Sequence, residues 1–358
     1  MIYKYPDRAE RIIIAKALRD WNKLINRSPS VTLNAQTKTY IQAVELFKKV
    51  NIVEFFGLSV GLGENMKCAI VKSNIASVNR DEHGEYRYFS NSADRKSGYC
   101  LSLLDMYQVV YNCGYYKSIY ELCKKLEIKV KEGDWAMEQK IRYADNIATI
   151  EQADDEMRYR HPSLYKFICK HLYVLEKMNA LGLRNLASKK ESVNGSAVFF
   201  ASSRFVSEEL EKAGDKTSAS TVAKILNAFA ALGLLKKVAK KDIPGHMRHK
   251  AIQSTVAGMF EVNFYTVPEM GAAVLAEADR RADKLKRAGI TMTTVSADKE
   301  VVEGLFGIEE VAKLEKVLGK RVYASVFADT QQKTDFNKSM RTPKKKAAGA
   351  EQFDDYNF

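Results

Sequence analysis

The stretch from Ser218 to Val238, SASTVAKILNAFAALGLLKKV, constrains the fold more than any other part of the chain. Val222, Ile225, Leu226, Phe229 and Leu232 recur at helical spacing, so the segment is predicted to be a helix with one apolar face seeking a core. Ser218 can cap its N-terminus, and Gly233 suits the left-handed position at which a helix stops. Ser220, Thr221, Lys224 and Asn227 then project from the opposite face, close to the helix start. Short polar and basic side chains in that place suit phosphate oxygens and the base edges of a major groove.

The flanks extend this reading. Residues 203–213 (SRFVSEELEKA) form a short helix with Phe205, Val206 and Leu210 inward, and Gly214 opens the turn GDKT. Strands are predicted at 234–239 and at 260–267, where FEVNFYTV alternates apolar and polar residues in its first four positions. Between them lies KKDIPGHMRHKAIQSTVAG, a basic loop with Gly and Pro. Its Lys240, Lys241, Arg248 and Lys250 follow Lys236 and Lys237 of the strand, and a hairpin tip so charged can track phosphates beside a groove. His246 and His249 have no cysteine or third histidine nearby in sequence, so solvent or phosphate contact is the expectation rather than a metal. Helix, helix, turn, helix, strand, loop, strand is similar to the order of a winged helix. That resemblance implies double-stranded DNA as a partner, with the second helix of the turn in the major groove. A module of this shape can also dock on protein.

The whole chain has 358 residues, 46% of them hydrophobic, which implies more than one domain and enough apolar surface for their cores. Lysine and arginine exceed aspartate and glutamate by 57 to 44, a formal charge of +13 that favours a polyanionic partner. No apolar run is long enough to span a membrane, and MIYKYPDRAERIII lacks the layout of a signal peptide, so a cytoplasmic, membrane-free protein is expected. The odd set Cys68, Cys100, Cys113, Cys123 and Cys169 forms no C-x-x-C pair and reads as free thiols.

The fold class expected is α+β and multidomain. N-terminal helices occupy residues 1–49, with apolar stripes at 7–27 and 36–49. A strand-rich domain follows at 50–130, in which VEFFGLSVGLGENMKCAIVKSNIASV and EYRYFSN read as strands, closed by helices near 100–112 and 117–126. Residues 131–160 are highly charged with weak apolar periodicity and are taken as an exposed helical linker. The winged-helix unit spans 161–268, beginning with a helix from Ser163 to about Leu181. C-terminal helices occupy 269–330, and residues 331–358 form a disordered tail with a basic run, RTPKKKAAGA, before EQFDDYNF.

Within the strand-rich part, the succession NIVEFF, NMKCAIVKS, EYRYFSNS, SGYCLSLLDMYQ and YKSIYELCKKLEI resembles the zinc-ribbon domain at the N-terminus of bacterial replicative primases, over residues 50–128. The resemblance implies a short helix, two ligand-bearing turns around an aromatic strand, and two closing helices. The family's ligands are three cysteines and a histidine. Here only Cys68 falls near the first turn, Lys72 or Ser73 stands in place of its partner, and Ser90, Asn91 and Ser92 replace the second pair. One thiol cannot supply tetrahedral zinc, so a degenerate, metal-free ribbon is expected. Arg87, Tyr88, Arg95 and Lys96, with Tyr86, Phe89 and Tyr99, interleave cations and aromatics as single-strand binders do. The other reading of Tyr86 and Tyr88 is one buried sheet face, opposite Arg87 and Phe89.

Signatures of catalysis are missing. Asp154-Asp155-Glu156 and Asp354-Asp355 follow no apolar strand and read as solvated charge, and Gly61-Leu62-Gly63-Glu64-Asn65 lacks the lysine of a phosphate-binding loop. No cofactor, metal or enzymatic activity is expected. The terminal EQFDDYNF resembles the tail with which bacterial single-strand-binding proteins recruit replication partners. Together these features predict a DNA-binding replication protein, initiator or helicase-loader in kind, of a plasmid or phage. The alternative is a winged-helix transcriptional regulator.

Overall fold

The computed structural model describes residues 2–4, 31–68, 74–91, 97–186, 188–238, 240–253 and 263–292. The fold is mixed α+β. The helix expected at 7–27, those near 298–318 and the tail 331–358 lie outside the described residues.

The first half is built on a sheet of order β1-β6-β5-β4-β3, with β1 Ile2–Lys4, β3 Met66–Lys67, β4 Ile75–Arg80, β5 Tyr86–Asn91 and β6 Ser97–Leu101. β1 runs parallel to β6, and the other pairs are antiparallel. The β4–β5 turn closes because Asp81 Oδ1 accepts the N–H groups of His83 and Glu85, each at 2.9 Å. Helices α1 (Tyr40–Phe47), α2 (Ile52–Phe56), α3 (Leu103–Tyr111) and α4 (Tyr115–Lys125) share one core with Val78, Tyr88 and Leu101 of the sheet. Two expectations change here. VEFF is a helix, because Asn51 caps it through Val53 N and Gly57 ends it at φ 59°. α1 belongs to this core through Tyr40, Ala43 and Phe47, so residue 49 is no boundary. A short parallel pair, β2 Gln36–Thr37 with β7 Lys129–Val130, ties the segment before α1 to the chain leaving α4.

The presumed linker is α5, Asp134–Glu151, an integral helix. Met137 lies in the first core, whereas Tyr143 and Ile150 lie in the second. Its buried face interleaves Gln139 and Asn146 with Met137, Tyr143 and Ile150, which is why hydrophobic periodicity does not reveal it. Trp135 Nε1 donates to Gly195 O at 2.8 Å, and Gln139 Oε1 accepts from Ala197 N at 3.0 Å. Asn146 accepts from Met270 N (2.8 Å) and donates to Pro268 O (2.8 Å) and Asn179 Oδ1 (3.0 Å). Ala197 N, Met270 N and the Asn179 side chain belong to buried residues that would otherwise be left unsatisfied. A π-helical turn, Ala153–Met157, and Arg158–Arg160 then lead into α6, Pro162–Ile168.

The helix expected from Ser163 to about Leu181 is interrupted by a 3-10 turn, Cys169–His171, and resumes as α7, Leu172–Arg184. An Asn194-Gly195 turn with φ of 51° and 77° joins β8 (Ser192–Val193) to β9 (Ser196–Ala197). Next come β10 (Phe199–Ala201), α8 (Ser203–Lys212), α9 (Ala219–Leu232), β11 (Lys236–Val238), α10 (Gly245–Gln253), β12 (Asn263–Thr266) and α11 (Ala272–Arg287). β12 is the centre of an antiparallel sheet of order β10-β12-β11. α7, α8, α9 and α11 share the second core with Phe199 and Tyr265, so residue 268 does not divide cores either. Asp279 Oδ1 of α11 accepts Leu164 N at 2.8 Å, at the start of α6, and Arg281 donates to Ala231 O at 3.2 Å, at the end of α9.

Two substitutions test this frame. Asn146→Ala strands Met270 N, Pro268 O and Asn179, and is expected to cost about 3 kcal/mol or more by urea denaturation. A Cβ at Gly182 on α7 would stand 2.4 Å from Tyr143 Cε1, a fully buried ring. Helix propensity favours Gly182→Ala by about 1 kcal/mol, but overpacking costs about 1–3 kcal/mol. Net destabilisation is therefore expected, relieved in the double variant with Tyr143→Leu.

Candidate nucleic-acid interface

Local hydrogen bonds fix the connection between α8 and α9. Gly214 takes φ 96°, and Asp215 N donates to Leu210 O at 3.0 Å. Ser207 Oγ donates to Thr217 O at 2.5 Å, and the hydroxyls of Tyr173 and Thr217 meet at 2.8 Å, pinning the connection to both α8 and α7. Ser218 Oγ then accepts Thr221 N at 3.2 Å, and Gly233 ends α9 at φ 82°. Val222, Ile225, Leu226, Phe229 and Leu232 are buried to 1% exposure or less, so the orientation of α9 follows from its apolar face.

On the opposite face Ser220 and Lys224 are exposed, and Thr221 and Asn227 are half-buried. The Thr221 hydroxyl lies 2.9 Å from that of Ser218. Asn227 Oδ1 accepts Lys237 Nζ at 3.0 Å, and Lys237 is only 9% exposed. This corrects the sequence reading twice. Lys237 is no open phosphate contact, and Asn227 has its carbonyl oxygen engaged by that lysine, so it does not offer a complete amide. Phe205, expected inward, is exposed at 36%. Lys216, which the sequence reading passed over, is exposed in the connection before α9, and the GDKT turn was the signal for it.

The segment read as a basic loop is largely helical. Lys240–Asp242 forms a 3-10 turn and α10 follows. Ile243, Met247 and Ala251 pack with Val198 and Phe264 into a small core on the outer face of the sheet. Lys236, Lys241, His246, Arg248, His249 and Lys250 are exposed. Lys250 Nζ lies 3.4 Å from Glu191, so its charge is shared with a neighbour. The Lys240 side chain lies outside the described residues.

The aromatic strand resolves toward its structural reading. Tyr86, Tyr88 and Ser90 face the core, and Tyr88 is fully buried, which removes it as a stacking platform. Arg87 faces away but is held by Asp81 at 2.9 Å and Glu85 at 2.5 Å. Burial raises the Asp81 carboxyl, but hydrogen bonds from Arg87 and from the Glu85 and His83 N–H groups outweigh it and leave Asp81 below its usual range. Arg95 and Lys96 lie outside the described residues.

Cys68 Sγ lies 3.0 Å from Ser90 Oγ and accepts the Tyr88 hydroxyl at 3.4 Å. One thiol among hydroxyls and the Asn74 amide does not fit a tetrahedral zinc donor set. Burial pushes the Cys123 thiol up to about 12, and burial with Glu121 nearby does the same to Cys113, so both are poor nucleophiles near neutrality. In the Gly61–Gly63 loop, Gly61 N donates to Glu64 and Gly63 N to Val78 O, so these amides already have acceptors. Among the described residues no cluster of three His, Cys, Asp or Glu is placed to hold a metal ion, and no helix is long and apolar enough to cross a membrane. No family model matches this chain, and no curated protein and no solved structure matches it.

Proposed function

We propose that the chain binds duplex DNA through a winged helix formed by α7, β10, α8, α9, β11 and β12, with α9 in the major groove. The observation that carries this reading is the two-sided character of α9. Its apolar face is fixed in the core while Ser220, Thr221 and Lys224 stand outward from its first turns, straight after a hydrogen-bonded turn. Helix–turn–helix proteins present the start of the second helix to base edges in this way. Lys236 on the edge strand of the antiparallel sheet, Lys241 in the turn that follows and Arg248 on α10 supply phosphate contacts on the flank.

The wider role proposed is that of a plasmid or phage replication protein, an initiator or helicase loader. It rests on the resemblance of residues 50–128 to the primase ribbon. The buried polar cluster of Cys68, Ser90 and Tyr88 links the end of β3 to β5 without a metal donor set. With Tyr88 buried and Arg87 paired, single strands have no support from this strand, and duplex DNA is the partner argued.

Two measurements test the proposal. Lys224→Ala is expected to weaken specific duplex binding by about 1–3 kcal/mol while leaving the melting temperature unchanged. Unaltered affinity would mean that α9 faces protein. Lys241→Ala and Arg248→Ala should weaken all duplexes alike, each lowering the slope of log K against log salt by about 0.9. Footprinting assigns the role, since protection of repeated origin sites supports replication and protection confined to promoters removes it.

A further inference from the structure

The sheet of the second half carries helices on both of its faces. Side chains alternate along β12, with Tyr265 in the core shared with α9 and Phe264 in the small core under α10. Phe199 and Val198 divide in the same way. α10 therefore lies across the sheet from α9, and its solvent side is turned away from the proposed reading face. The β8–β9 hairpin belongs to this outer layer, since Val193 packs against the same small core. So does the turn Lys189–Glu191: Val198 N donates to Glu191 O at 3.0 Å, and Lys250 Nζ lies 3.4 Å from the Glu191 carboxylate.

Charge on this layer is strongly one-sided. Lys189, Lys190, His246, Arg248, His249 and Lys250 are exposed, and against them stand Asp242 and Glu191, which Lys250 engages. Helical phase then separates the cations of α10. Arg248 and Lys250 are two residues apart, about 200° round the axis, so they occupy opposite flanks. His246 shares the Lys250 flank one turn earlier, and Lys189 and Lys190 adjoin that flank through Glu191. Like charges gathered in this way repel one another in the free protein, and a polyanion relieves the repulsion.

The kind of polyanion follows from what the face lacks. Among the described residues of 188–198 and 241–251 no large apolar side chain is exposed. Protein interfaces are built on aromatic and apolar anchors and are depleted of lysine. Single strands require aromatic faces for their bases. A duplex makes neither demand and presents regular rows of phosphates for lysines to neutralise.

We propose that the flank formed by Lys189, Lys190, His246 and Lys250 holds the phosphate backbone of a second duplex segment, while α9 reads the first. One chain then bridges two stretches of DNA. The sheet stands between this flank and α9, which is why a second segment is argued and not an extension of the first contact. Bridging rests on the duplex-binding reading above.

The test captures DNA with DNA. The duplex protected in footprinting is fixed to beads, protein is added, and retention of a labelled random-sequence duplex is measured. Wild type is expected to retain it. Lys189→Gln, Lys190→Gln and Lys250→Gln combined should still bind the fixed duplex as wild type does and should lose the labelled one. All three side chains are exposed, so the melting temperature should stay unchanged. In solution the triple variant should lower the slope of log K against log salt on the random duplex by about 0.9 for each lysine lost. The inference is overturned if wild type retains no labelled duplex. It also falls if the triple variant retains as much as wild type, which would assign bridging to two copies of the chain. Loss of the fixed duplex by the triple variant overturns it too, because the flank and α9 would then share one duplex. Labelled polyglutamate held through the same lysines, where the random duplex is not, would give the flank to an acidic protein. Failure of the α9 reading shows separately, as a Lys224→Ala protein that holds the fixed duplex as wild type does.

Discussion

The hydrogen bonds of Asn146 hold the second half of the chain in its arrangement. One side chain on α5 meets the carbonyl of Pro268, the amide of Met270 and the side chain of Asn179. It thereby joins three pieces far apart in sequence: α5, α7 and the connection from β12 to α11. The position of α11 follows, and from α11 come Asp279, which satisfies Leu164 N, and Arg281, which meets the last turn of α9. Four residues on, Ile150 already belongs to the apolar core, so the polar contacts and the packing reinforce one another. Removing a partner from such a network exposes every other member to the full cost of burial.

The same helix explains why the two halves of the chain are not beads on a string. Met137 reaches the first core, and Tyr143 reaches the second. From the same helix Trp135, Gln139 and Arg142 address the β8–β9 hairpin, a piece of chain too short to be stable alone. The hairpin and β11 together line a cleft with Asp242 and Thr266.

Legibility in the sequence followed the kind of signal each element uses. α9 was readable to its ends because its apolar spacing, its Ser218 cap and its terminal Gly233 are local and conventional. α3 and α4 were readable for the same reason, and Ser102 with Asp105 completes a capping box at the start of α3. α5 was not, because a helix that buries Gln139, Tyr143 and Asn146 lacks the apolar stripe that marks an ordinary amphipathic helix. The β8–β9 hairpin was legible in principle, since Asn-Gly is the strongest short turn signal, yet its strands are too brief to show alternation. Among the site residues, exposure of Ser220 and Lys224 followed from helical phase alone. The engagement of Asn227 by Lys237 required knowing how β11 lies against α9, which is tertiary information.

The basic segment 240–253 shows how that information alters chemistry as well as geometry. Ile243, Met247 and Ala251 recur every fourth residue, and the sheet offers Phe264 and Val198 as partners, so the basic segment folds back onto the outer face. A mobile tip bearing the same charges would lose conformational freedom on every encounter with a phosphate backbone. Arg248 and its exposed neighbours are instead carried on a helix already ordered by its own small core. The entropy that a flexible tip surrenders on binding is surrendered here during folding. The contacts proposed for Lys241 and Arg248 are accordingly those of preordered side chains on the flank of the duplex that α9 is proposed to face.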